Sequence, residues 1–167
     1  MLKNLSVFFL IALALLASVN LAYVLWQLKH DDNNAISCTA NHITHGSMGT
    51  IHGTSYYVFN NTGGFLSLNG FLEEDPSIIF NRKILFDYRR DQDTYTLRSV
   101  HNIKYPDDSV SDEWMAQRFP DFFVYEDKEL YIKIIKQFNN NYLFFIGTLP
   151  TFSCKYSPLT AARKLSH

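Results

Sequence analysis

The chain has 167 residues and a formal net charge of −1, which supports one ordinary domain and little else. Every one of its 16 acidic residues and all but one of its 15 basic residues follow Leu28, with no basic stripe among them, so direct nucleic-acid binding has no electrostatic footprint. Aromatic residues make up 16%, with 14 Phe and 10 Tyr, a bias toward β-structure.

No charged side chain lies between Lys3 and Lys29. Residues 5–28 read LSVFFLIALALLASVNLAYVLWQL, interrupted only by Ser6, Ser18, Asn20 and Gln27. As a helix they would extend roughly 36 Å, against about 30 Å of hydrocarbon. Tyr23 and Trp26 stand near one end, where amphipathic rings favour the interface. A cleaved signal peptide is the competing reading, but cutting after Ala22 or Ala17 puts Asn20 or Leu15 where a small residue is needed. The expectation is an uncleaved anchor. Lys3 holds a short tail, residues 1–4, in the cytoplasm, and the rest of the chain lies outside. In a bacterium this is a single-pass inner-membrane protein with a periplasmic domain.

Residues 29–37 (KHDDNNAIS) are polar and read as a linker, residues 38–156 as the domain, and residues 157–167 as a tail. Cys38 and Cys154 bracket the domain. In an exported domain they allow one disulfide pairing, the alternative being two free buried thiols, which suits a cytoplasmic domain better. The segment NHITHGSMGTIHG places His42, His45 and His52 within eleven residues. Three imidazoles could hold a metal, but no acidic or thiol ligand is spaced to help. They could instead report pH, or be ordinary solvated loop histidines.

After Cys38 the sequence alternates at period two in several blocks, the pattern of half-buried strands. Tyr57 and Phe59 share a face, followed by a turn at Asn61, Thr62, Gly63 and Gly64; Leu66, Leu68 and Leu72 continue. After a turn at residues 73–76, Ile78, Phe80, Ile84, Phe86 and Tyr88 form a long face, then Tyr95, Leu97, Ser99, His101 and Ile103. The rhythm breaks at residues 109–118 (SVSDEWMAQR), where Ser109 with Asp112 three residues on predicts a short capped helix that Pro120 limits. Phe119, Pro120, Asp121, Phe122 and Phe123 are either core plugs or an exposed contact site. Two strands follow, around Ile132 and around Phe144, with a hairpin turn at Asn139, Asn140 and Asn141. The expected fold is α+β, mainly antiparallel β, as a curled sheet or partial barrel with one short helix, plus the N-terminal transmembrane helix.

No GxSxG, HExxH or phosphate-binding loop is present, so neither an enzyme nor a cofactor is expected. The chain resembles the FidL-like membrane proteins of enteric bacteria, with the PsaF and MyfF accessory proteins of fimbrial regulation. The resemblance rests on the anchor, Cys38, the blocks GFLSLNG (64–70), RKILFDY (82–88) and FPDFF (119–123), the YLF strand (142–144) and GTLPTFSC (147–154). It implies an accessory regulator whose periplasmic domain binds and stabilises a membrane-bound ToxR-like winged-helix activator of the PsaE/MyfE type, promoting fimbrial or virulence genes, as ToxS and VtrC do in related systems. An amphipathic ligand such as a bile salt could sit at the shared interface. Partner contact is expected from open sheet edges and from residues 119–123. Rival readings are a periplasmic ligand or pH sensor and a structural envelope or fimbrial-assembly protein.

Overall fold

The computed structural model describes residues 13–26, 36–47, 49–61 and 63–157. They fall into two units, one before and one after residue 35. The first contributes helix α1, residues 13–26. Its polar side chains turn back on the helix's own backbone: Ser18 Oγ donates to the Leu15 carbonyl and Asn20 Nδ2 to that of Leu16, each at 2.8 Å. A helix that satisfies its polar groups internally exposes an almost wholly apolar surface. Among the described residues no helix is long and apolar enough to cross a membrane. Both ends of the expected span, residues 5–12 and 27–28, lie outside the described residues.

The second unit is an eight-stranded antiparallel barrel in which each strand pairs with its sequence neighbours and β1 pairs with β8. The strands are β1 (Ser37–Gly46), β2 (Gly49–Phe59), β3 (Gly63–Leu72), β4 (Asp75–Asp91), β5 (Thr94–Lys104), β6 (Glu129–Lys136), β7 (Tyr142–Ile146) and β8 (Leu149–Tyr156). The expected partial barrel is thus a closed one, and β1 begins one residue inside the expected linker. Closure joins β1 to β8 at two register pairs only, Cys38↔Tyr156 and Thr39↔Lys155, so beyond them the facing edges of the two strands carry no ladder pairing to each other.

Alternate residues fill the interior. Phe59, Leu66, Leu68, Phe80, Ile84, Phe86, Leu97 and Phe144 are all buried. Tyr57, Phe144 and Phe152 form an aromatic stack, with centroids 4.9 Å apart for Tyr57–Phe144 and for Phe144–Phe152. Two glycines of β3 make room for rings of β4. Gly64 pairs with Phe86 and Gly70 with Phe80. A Cβ on Gly70 would come within 2.4 Å of the Phe80 ring and 2.2 Å of the His52 carbonyl.

Between β5 and β6 the wall is short: only residues 94–98 pair with residues 129–133. The intervening segment fills the gap with helix α2 (Asp112–Ala116) and a 3-10 turn (Asp121–Phe123). Met115, Phe122 and Phe123 join the barrel core. The helix is shorter than expected and starts later. Ser111, not Ser109, caps it, its Oγ accepting from Trp114 N at 3.2 Å. Ser109 instead serves β4, its Oγ accepting from Ile79 N at 2.9 Å.

A buried ion cluster fastens this segment. Arg82 points inward from β4, its Nε 3.0 Å from Asp108 Oδ2 and its Nη1 2.7 Å from Asp112 Oδ1. Asp108 also accepts from the backbone of Asn81 at 3.0 Å and of Val110 at 3.1 Å. A charged pair in a core is tolerated only when so fully bonded.

Candidate interaction site

The two cysteines meet. Cys38 and Cys154 form a disulfide with Cα atoms 5.4 Å apart, both fully buried. They lie on the strands that close the barrel, where the ladder has just two register pairs, Cys38↔Tyr156 and Thr39↔Lys155. The covalent bond therefore does at this seam what a long ladder does elsewhere.

The histidines lie on strands, not in a loop, and face three different settings. His42 on β1 faces inward, its ring over Gly53 and its Nε2 3.2 Å from Ser55 Oγ. Its Nδ1 is buried without a hydrogen-bond partner, and burial holds the imidazole below its ordinary pKa. His45 Nδ1 is 3.2 Å from Thr50 Oγ1. His52 on β2 stacks flat on Phe71, centroids 5.2 Å apart, with its Nε2 3.0 Å from Glu73 Oε2. Among the described residues no group of three His, Cys, Asp or Glu is placed to hold a metal ion.

Residues 119–123 divide by burial. Phe122 and Phe123 are buried, Phe119 is half-buried with its ring 5.4 Å from that of Phe80, and Pro120 and Asp121 are exposed. The three rings are core plugs, because the missing β5–β6 wall leaves apolar space for them to fill.

The outer wall carries a feature that the sequence reading missed. In register across four strands stand Ile43, His52, Phe71 and Ile79. Ile43 is 59% exposed and Phe71 40%. The β3–β4 turn beside this row holds Glu73, Glu74 and Asp75. Both Glu74 oxygens accept from Thr50 N at 3.0 Å, and that bond holds the Glu74 carboxyl below its usual range. The Ser77 hydroxyl and backbone do the same for Asp75. The result is an apolar, partly aromatic strip bordered by ionised carboxylates. Period-two counting from Thr39 through Asn41 to Ile43 marks the outward face of β1. What hid it was the low hydrophobicity of a strand rich in Thr, His and Gly.

A surface cleft of about 320 Å³ between Asp87, Tyr88, Arg89, Thr96, Arg98 and Glu129 lies outside the wall, not within it.

The family described as the YqeJ C-terminal domain matches residues 35–154, which is nearly the whole barrel. The chain belongs to this family. The protein named "Uncharacterized protein YqeJ" in Escherichia coli (strain K12) is 28% identical over 123 residues, covering 71% of this chain and 77% of that protein. No solved structure matches. The match starts at residue 35 and so takes in the strands and both cysteines but not the apolar stretch.

Proposed function

We propose that this member of the YqeJ C-terminal domain family is a membrane-anchored accessory regulator. Its barrel binds and stabilises the exported domain of a one-pass, winged-helix transcription activator. The observation that carries the reading is the strip Ile43–His52–Phe71 beside Glu73, Glu74 and Asp75, on the outside of a barrel whose interior its own side chains fill. An apolar strip with ionised carboxylates at its border suits a partner whose contact face is apolar and basic. A packed interior suits a docking module better than a container for a small ligand. The apolar run of residues 5–28 supports the anchor, and the disulfide, a bond that persists outside the cytoplasm, supports the oxidising side. The finer placement among FidL-like proteins, with target genes for fimbriae or virulence, rests on the order of the sequence blocks that resemble that group.

The test is crosslinking in intact cells from a photoreactive residue at position 71, followed by identification of the adduct. The expected adduct is a membrane protein with an exported domain and a cytoplasmic DNA-binding domain. I43E/F71E should lower both the adduct and the partner's steady-state level. An unchanged partner level with that double variant, at equal barrel stability, would overturn the proposal.

A further inference from the structure

The opposite wall of the barrel has a contrasting chemistry. All acidic residues end at Glu129; residues 130–167 contain Lys133, Lys136, Lys155, Arg163 and Lys164 and no Asp or Glu. Apart from Glu129, the first residue of β6, strands β6, β7 and β8 are built from this stretch. They expose Tyr131, Ile135, Leu149 and Tyr156. At the tip of the β6–β7 hairpin, Phe138 is as exposed as in an extended chain (112%). Lys133 is held by Asp93 at 2.9 Å, whereas Lys136 and Lys155 have no ion pair among the described residues.

A fully exposed Phe in a turn gains nothing from folding in water, so its energetic use lies elsewhere. The topology says where. In an up-and-down barrel the turns alternate ends, so the turn holding Phe138 lies at the end where β1 begins and β8 finishes. Tyr156 fixes this neighbourhood: it is the register partner of Cys38, and its backbone N–H donates to Asn141 Oδ1 in the same turn at 3.2 Å. The chain therefore enters β1, at Ser37, at the end of the barrel that carries Phe138.

We propose that the β6–β7 hairpin tip enters the headgroup region of an anionic bilayer, with Phe138 in the acyl boundary and Lys136 and Lys155 on lipid phosphates. An exposed aromatic ring with Lys136 and Lys155 at the same end of the barrel, on strand segments 134–136 and 154–156 that carry no carboxylate, matches that surface in both polarity and charge. The proposal rests on the anchored reading above, and it adds a second attachment that orients the barrel. The outward strip at Ile43 and Phe71 lies toward the other end, near the β1–β2 and β3–β4 turns, and is thereby held away from the lipid for a partner.

The experiment uses the full chain reconstituted into phosphatidylcholine vesicles, with or without phosphatidylglycerol, and with acyl chains that are brominated or not. In the parent protein Trp26 reports the anchor and Trp114 the barrel. F138W adds a third emission, read as the difference from the parent. The expected result in phosphatidylglycerol vesicles is an added emission shifted to shorter wavelength, most of it lost to brominated chains. K136E/K155E should return that emission toward the aqueous position. If the added emission stays aqueous and unquenched in both vesicle types while Trp26 is quenched, the lipid contact is wrong and the anchor stands. If Trp26 itself escapes quenching, the anchored reading fails and the contact with it.

Discussion

Replacing both cysteines with alanine should cost this barrel about 5 kcal/mol. Cys38 and Cys154 are 116 residues apart, and in the chain-entropy account a closed loop of that length removes about 4.9 kcal/mol of freedom from the unfolded chain at 25 °C. Both sulfurs are fully buried, so their lost packing adds to the cost. Domains of this size are stable by about 5–15 kcal/mol, so C38A/C154A should lose a third or more of the total. Its melting temperature should fall by about 20 °C. The loss is also local. β1 and β8 share two register pairs where β2 and β3 share nine, so without the bond the seam should open first. Urea unfolding of the full chain in detergent, followed by circular dichroism, gives the first number. Amide hydrogen exchange gives the second: β1 and β8 should lose protection before β3 and β4. A stability loss under about 1 kcal/mol, or an even loss of protection around the barrel, would refute the stapled-seam account.

Three further outcomes follow from the core. R82M strands the buried Asp108 carboxylate and should destabilise the barrel by about 3–5 kcal/mol, with R82M/D108N recovering much of it; thermal melts of both variants decide this. F122A should cost about 3–5 kcal/mol and F138A less than about 0.5, a contrast that equal melting temperatures would contradict. Burial holds His42 below its ordinary pKa, so the folded state resists the proton that the unfolded chain takes up near pH 6.5. His42 thus lets the barrel keep full stability above that pH and lose it as pH falls below. H42Q should flatten this acid slope in urea titrations run between pH 7 and pH 5.

Much of the barrel could be read from period-two spacing, because Leu66, Leu68, Phe80, Ile84, Phe86, Tyr95 and Leu97 are large inward residues; the face expected to continue through His101 and Ile103 instead turns outward, where the β4–β5 register shifts and both are exposed. The same rule marks Arg82 as inward, between Phe80 and Ile84, and a charge there demands partners; Asp108 and Asp112 lie too far along the chain for spacing to reveal them. β1 and the start of β2 escaped because their inward positions are small or polar: Cys38, Ala40, His42, Gly53 and Ser55. Ser111 lost to Ser109 as the expected cap because both precede acidic residues, and only the pairing of Ser109 with β4 separates them. Closure was illegible, since it depends on the sum of eight twists and on a seam of two pairs. The strip at Ile43 and Phe71 depends on register, which links residues 28 positions apart.

One consequence of the connectivity concerns the order of assembly. Seven of the eight strand pairings join strands consecutive in the chain, and six of these, all but β5–β6, are closed by short turns and can form as hairpins while the rest is still unstructured. The eighth must gather the two ends of the domain, so it bears nearly all of the loop-closure cost and comes last. Oxidation of the thiols then acts as a latch thrown on a finished wrap, and a thiol-reactive probe added during synthesis would count the barrels not yet closed.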